Sequence, residues 1–145
     1  MQTDTVYLKR YVENLPLPTY HTPGAAAFDL YARTETVCPP KTMTKIPLNI
    51  AVKVPANHMT LLVARSSLHK KGLMMGNGIG VVDEDYCGDG DELQALLYNF
   101  TEDAVIIPAG ERIVQAIIMP VEQYVLAEVK TMDAPDRGGF GTTNT

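Results

Sequence analysis

An all-β fold, with strands closing into a barrel or packing as two sheets in the manner of a jelly roll, is what this sequence predicts. Three observations carry the expectation. Short apolar segments recur along most of the chain. Turn signals separate them at Pro39-Pro40, Pro55-Ala56-Asn57, Gly76-Asn77-Gly78, Gly88-Asp89-Gly90 and Pro108-Ala109-Gly110. Helical signal is nearly absent: only Ser66 to Lys71 reads as a helical turn, with a serine to cap its start and Gly72 its end.

Taken in order, Val6 to Lys9 opens an apolar segment, and the Pro16 and Pro18 stretch behind it must be extended or turning. Ala27 to Ala32 reads as a strand, as do Lys45 to Val54 and Met59 to Ala64. After the helical turn come Gly80 to Asp83, Leu93 to Phe100, Val105 to Pro108, Arg112 to Val121 and Tyr124 to Lys130. Residues 136–145, DRGGFGTTNT, fit no regular element: glycines hinge the backbone, and only small polar side chains surround Arg137 and Phe140. The expected organisation is one domain over 1–135 with a flexible C-terminal arm over 136–145. A frayed end and a lid that orders over a ligand are both open readings of that arm.

Composition narrows the function. The 145 residues suit a single domain with a real core. No apolar run approaches the ~20 residues that span a bilayer, so no membrane partner is expected. The opening MQTDTVYLKRYVENL lacks a basic start followed by an apolar stretch, and Cys38 and Cys87 have no metal-type spacing. A cytoplasmic protein with reduced thiols is therefore expected. The net charge of −5 argues against a nucleic-acid partner, which needs a cationic surface. A polyphosphate substrate stays open, provided a metal offsets its charge.

Five segments carry possible chemistry. In GAAAFDLYA, Gly24 to Ala32, Asp29 interrupts an apolar strand; it either holds metal-bound water or faces solvent at an edge. In ARSSL, Arg65 precedes two hydroxyls, Ser66 and Ser67, where a helical start would aim amides at phosphate or merely be capped. In GNGIGVVDEDYCGDGDE, Asp83 follows an apolar run, where partial desolvation would raise its basicity. A calcium loop counted from Asp83 fails, because its fifth and twelfth positions are Cys87 and Gln94. Asp89, Asp91 and Glu92 then read as a solvated hairpin tip. In GERIVQAIIMP, alternation puts Arg112, Val114 and Ala116 on one face and Gln115 among Ile113 and Ile117 on the other. A buried Gln115 amide would need hydrogen-bond partners, either backbone or ligand. The fifth segment is the arm. His21 and His58 read as surface residues, and His69 beside Lys70 and Lys71 adds positive potential.

In order and spacing, AAAFDLYA, RSSL, GVVDEDY, GERIVQ and RGGFGTT resemble the five motifs of the homotrimeric dUTP diphosphatase (dUTPase) family, from about Gly24 onward. The resemblance implies a distorted jelly-roll homotrimer with interfacial active sites, hydrolysing dUTP to dUMP and pyrophosphate with Mg²⁺ on the triphosphate. It implies that Asp83 activates water for attack on the α-phosphorus and that Tyr86 packs under the deoxyribose and excludes a 2′-OH. Asn77 and the backbone from Gly78 to Val82, Gly80 and Val82 included, would read uracil. Asp29 would touch the metal through water, Arg65, Ser66, Ser67 and Gln115 would face phosphates, and Arg137 and Phe140 would clamp the γ-phosphate and stack on uracil. Arg112 would be structural, in an ion pair.

Three departures stand out: Ser67 where glycine is common, a longer hairpin at CGDGDE, and an arm about two residues short. RSSL also occurs in dCTP deaminases, so deamination, alone or combined with dUTP cleavage, is an alternative. That family's catalytic glutamate would fall near Leu96, where this chain has LQALLYN. A catalytically silent nucleotide-sensing protein is a further alternative, and it would predict damage to Asp83 or the arm, which neither shows.

Overall fold

The computed structural model describes residues 4–141. In chain order these form β1 (Tyr7–Arg10), β2 (Phe28–Tyr31), β3 (Thr36–Cys38), β4 (Met43–Pro47), β5 (Ile50–Lys53) and β6 (His58–Ala64). A single 3-10 turn (Leu68–Lys71) precedes β7 (Leu73–Met75), β8 (Gly80–Val82), β9 (Gln94–Asn99), β10 (Val105–Ile107) and β11 (Arg112–Pro120). Pairing is antiparallel throughout. A four-stranded sheet runs β2-β11-β6-β8, a three-stranded sheet β4-β9-β7, and two ribbons pair β1 with β5 and β3 with β10. This is the expected all-β jelly roll. Among the described residues no helix is long and apolar enough to cross a membrane.

Cross-strand partners share a face of a sheet, so the registers sort the four-stranded sheet into two surfaces. Phe28, Leu30, Leu62, Val114 and Ala116 point inward and join Ile46, Leu73, Ala95 and Leu97 in one apolar cluster. The opposite surface carries the rows Val81–Leu61–Ile117, Val63–Gln115–Asp29 and Met59–Met119. None of its aliphatic residues is buried, and Val81 is 64% exposed.

Four local outcomes depart from the sequence pattern. The segment from Lys45 to Val54 divides into two strands because Asn49 takes a left-handed backbone (φ 67°) after Pro47. The buried Asn49 side chain makes that bend useful. Its Oδ1 accepts from the Val12 N–H (2.8 Å) and its Nδ2 donates to the Val12 carbonyl (3.0 Å). β3 and β7, each three residues long, carry too little periodicity to stand out in the sequence. A bulge between Arg112 and Val114 shifts β11 by one position, so Ile113 and Val114 are both buried, and Arg112 no longer shares a face with Val114. Finally, Tyr124 to Lys130 forms no strand among the described residues. It runs exposed, with Val125 at 96% and Leu126 at 94% accessibility.

Gly80 opens β8 where a Cβ atom would sit 2.9 Å from the Leu62 Cβ, an atom close to a rigid backbone. Gly80→Ala is therefore expected to destabilise the fold by about 1–3 kcal/mol, the usual range for overpacking. Urea denaturation measures it; an unchanged midpoint would mean that β8 is free to lift from β6.

Candidate active site

β8 is the outer strand of its sheet, so part of its backbone has no ladder partner in the chain and can pair with a ligand edge. The turn before it is built from Gly78, at φ 71°, whose N–H donates to the Met75 carbonyl (3.2 Å). Beside this edge lies a cleft of about 380 Å³, lined by Asn77, Gly80, Val81, Val82, Asp83 and Tyr86. Leu62, Lys45 and Glu92 to Gln94, with Leu96, complete its walls. The structure thus brings together all five residues of the third segment that the sequence singled out. Asp83 is exposed, so the desolvation expected from its apolar neighbours is absent in the single chain. Tyr86 stands on the rim, its N–H bonded to the Asp83 carbonyl (3.2 Å) and its hydroxyl donating to the Glu92 carbonyl (3.3 Å).

A second basin, about 640 Å³, is lined by Tyr31, Arg65, Ser67, Lys70, Lys71, Gly110, Glu111 and Arg112. Lys70 is its least engaged cation: Lys71 is paired with Glu111, and Arg65 and Arg112 share Asp29. Ser67 takes the N-cap position of the 3-10 turn but makes no side-chain cap bond, so the expected serine cap is absent; Gly72 closes the turn at φ 78°. Ser66 is exposed next to Arg65. Gln115 is half-buried on the outer sheet face rather than in the core, and its Nε2 donates to the Ala64 carbonyl (3.0 Å).

Asp29 is 8% exposed and joins three elements. Its Oδ1 accepts from Arg65 Nε (3.0 Å) and its Oδ2 from Arg112 Nη1 (3.1 Å). His21, expected to be an ordinary surface residue, reaches the same centre: its Nε2 lies 3.2 Å from Arg112 Nη1 and 3.5 Å from Asp29 Oδ2. Asp29 is thus no solvent-facing edge residue, and Arg112 sits in the ion pair expected of it. Among the described residues no cluster of three or more histidine, cysteine or acidic groups is placed to cage a metal.

Asp83 and Arg65 are far apart in one chain. Val82 pairs with Thr60, which sets Asp83 beside Met59, whereas Arg65 follows Ala64 at the other end of β6. Six residues of strand span about 20 Å. Arg137 and Phe140 approach neither basin: both are exposed, and Phe140 projects wholly into solvent at φ 51°. Thr142 to Thr145 lie outside the described residues.

The hairpin tip differs most from expectation. Glu92 is 9% exposed, not solvated, and its carboxylate is held by Arg33 Nε (2.7 Å), Arg33 Nη2 (3.0 Å) and the Asn49 N–H (2.9 Å). Asp89 is exposed but bound to Lys9 (3.0 Å), and Asp91 accepts from the Gly88 N–H (2.7 Å). Sequence reasoning missed Lys45, Glu92 and Gln94 as cleft residues. For Lys45 and Gln94 the only signal was membership of flanking strands, because β4–β9 pairing brings them there.

Against known proteins, the dUTPase family model matches residues 13–145. The chain belongs to the dUTPase family. It is 39% identical over 138 residues to the deoxyuridine 5′-triphosphate nucleotidohydrolase of Stutzerimonas stutzeri, covering 91% of this chain and 89% of that one. The crystal structure of dUTPase from Streptococcus mutans is similar at TM-score 0.75 and 28% identity, covering 81% of this chain and 98% of that one. A Staphylococcus bacteriophage 80alpha dUTPase with dUpNHpp shares the fold at TM-score 0.84 and 22% identity, covering 99% and 100% of the two chains. In this dUTPase-family chain, then, Asp83 and the cationic basin lie toward opposite ends of β6.

Removing the Asp29 charge leaves two guanidinium groups facing one another. Asp29→Asn should cost about 1–3 kcal/mol, less than the ~3–5 for breaking a fully buried pair, because Arg65 and Arg112 are 27% and 43% exposed. Denaturant midpoints report it. A variant as stable as the parent would make this carboxylate dispensable to the fold.

Proposed function

We propose that this protein hydrolyses dUTP to dUMP and pyrophosphate, at sites assembled between the subunits of a homotrimer, with Mg²⁺ carried on the triphosphate. The observation that carries the reading is the split of the site. The backbone beside Asp83 and that of Arg65 lie about 20 Å apart along β6, with the far wall of the cleft, Leu62, between them. Neighbouring phosphates of one nucleotide cannot touch both, but a second copy can present its basin to the first copy's cleft. Two surfaces support such assembly. The outer face of the four-stranded sheet is aliphatic around Gln115 and Asp29, and the exposed Val125, Leu126, Val129 and Met132 have the composition of a strand that docks elsewhere. A cytoplasmic location fits the two free thiols, Cys38 and Cys87.

In this reading the outer backbone of β8, with Asn77, pairs with the uracil edge. Cytosine is refused because its 4-amino group turns an acceptor into a donor and leaves buried groups unpaired. Tyr86 lies under the deoxyribose. Asp83 takes a proton from water as the oxygen forms its bond to the α-phosphorus, and the bond to the bridging oxygen breaks to release pyrophosphate. Exposed in one chain, Asp83 becomes desolvated only when nucleotide and neighbour cover it. Arg65, Ser66, Ser67 and Gln115 hold phosphate oxygens, and Arg137 and Phe140 close over γ-phosphate and base.

Asp29 has each oxygen engaged by one guanidinium, which leaves lone pairs for water. That donor set fits Mg²⁺, which keeps several waters and takes phosphates as ligands, better than a cation that needs a protein cage. The ion supplies charge neutralisation to a triphosphate approaching an acidic protein. Deamination of dCTP finds little support: Leu96 has no carboxylate, and Glu92, on the same cleft wall, is fixed by Arg33.

The direct test incubates the protein with dUTP, dCTP, dTTP and UTP plus Mg²⁺ and measures pyrophosphate and ammonia separately. Pyrophosphate from dUTP alone is expected; ammonia from dCTP at a comparable rate would overturn the reading. Asp83→Asn should lower turnover by the ~10²–10⁴-fold typical of general-base loss, with nucleotide affinity changed far less. Turnover within a few-fold of the parent would move the base elsewhere. Removing residues 136–145 should leave thermal stability and oligomer size unchanged while turnover collapses, since Asp136, Arg137, Gly138, Phe140 and Gly141 are exposed. A truncated protein with full activity would make the arm a passive end.

A further inference from the structure

Tyr86 is 42% exposed and sits on a hairpin that contains Gly88 and Gly90, so nothing local to the ring fixes its position. What fixes it lies further along. The Tyr86 hydroxyl donates to the Glu92 carbonyl (3.3 Å), and the Glu92 side chain is anchored more firmly than any other acid of the hairpin. Arg33 grips both its oxygens in a two-pronged contact, and the Asn49 N–H adds a third bond. Asn49 is itself locked to Val12, and Leu93, directly after Glu92, donates to the Ile50 carbonyl (2.8 Å). The near side of the hairpin is fastened to β1. Tyr11 donates its hydroxyl to the Asp89 carbonyl (2.7 Å), and Lys9 bonds the same carbonyl (3.1 Å) and the Asp89 carboxylate (3.0 Å).

We propose that Glu92, clamped by Arg33 and Asn49, is a positioning residue for sugar selection: it holds the Asp83–Glu92 hairpin so that Tyr86 leaves room for a deoxyribose and none for a ribose. The inference rests on the reading that Tyr86 lies beneath the sugar. It gives the extended acidic hairpin a role that solvation alone does not. Rejecting one added hydroxyl is a demanding task for a soft wall, because a shift of about 1 Å is enough to admit it. A surface tyrosine on a glycine-containing loop is such a wall, and a buried ion pair with three hydrogen bonds is what stiffens it. The hydrogen bond to the Glu92 carboxylate raises the Arg33 guanidinium above its ordinary value, against the opposing effect of burial.

The test compares kcat/KM for dUTP and UTP in the intact protein and in Glu92→Gln, Arg33→Met, Tyr86→Phe and the Glu92→Gln/Tyr86→Phe double variant. Glu92→Gln and Arg33→Met should reduce the dUTP-over-UTP preference by about tenfold, chiefly by admitting UTP, as expected when one partner of a buried pair is lost. Tyr86→Phe cuts the same tether, so the double variant should be no less selective than the weaker single one. If both nucleotides lose kcat/KM in parallel and the ratio holds, Glu92 is merely structural and the inference falls. Fully additive losses in the double variant would also overturn it. Should the Glu92 and Arg33 variants fail to fold, Lys9→Met/Tyr11→Phe loosens the hairpin from its exposed side and should still lower the ratio; an unchanged ratio counts against the inference. The parent protein keeps the two readings apart. A parent that does not cleave dUTP sinks the proposed function and this inference together. A selective parent with equally selective variants sinks only the inference.

Discussion

One carboxylate holds the cationic end of the four-stranded sheet together. Asp29 comes from β2, its partners Arg65 and Arg112 from the end of β6 and the start of β11, and all three meet on the outer face of the four-stranded sheet. Without the anion, two guanidinium groups would repel one another at that place. With it, they are held as a fixed pair, Arg65 Nη1 also donating to the Arg112 carbonyl (3.2 Å). The β11 bulge between Arg112 and Val114 serves the same arrangement. It lets Arg112 turn to Asp29 while Ile113 and Val114 both enter the core. An electrostatic need at the sheet surface and a packing need beneath it are met by one extra residue.

The second constraint is length. β6 is seven residues long and carries the cationic end at Ala64–Arg65, while the carboxylate cleft lies by its other end, across from β8. In the proposed reading, a second copy brings its Arg65 end to the Asp83 end of the first, so that activity depends on assembly as well as on folding.

Much of this was legible in the sequence, and the reasons are specific. Strands with strong alternation or aliphatic runs, such as β6 and β9, announced themselves, as did the glycine turn at Gly76 to Gly78. β3 and β7 did not, because three residues cannot display a period of two. The division of β4 from β5 needed the left-handed backbone of Asn49, whose reason is a distant partner, Val12. Among the residues proposed for the site, Asn77, Gly80, Val82, Asp83 and Tyr86 lie within ten positions of one another, and the structure lines one cleft with them. Glu92 was misread as a solvated acid because its partner, Arg33, lies 59 residues away and carries no local mark of pairing. Gln115 was misplaced for the same kind of reason, since a bulge in β11 is invisible to a simple count of alternation.

The exposed stretch from Tyr124 to Met132 closes the physical argument. It reads as a strand by its apolar, β-branched and aromatic content, yet Tyr124, Val125, Leu126, Val129 and Met132 all lie against water. Burying such side chains is worth roughly 1.5–3 kcal/mol each, so a single subunit leaves considerable driving force unspent. The same subunit exposes the aliphatic rows of the four-stranded sheet and the free backbone of β8. Edge backbone and unpartnered apolar side chains are hazards for an isolated β protein, since they recruit copies without order. Here the apolar rows run beside Asp29 and Gln115, and the free edge runs beside Asp83. In the proposed assembly, contacts that cover these exposed surfaces also bring the groups around Arg65 toward the cleft beside Asp83, so one event completes both the fold and the proposed site.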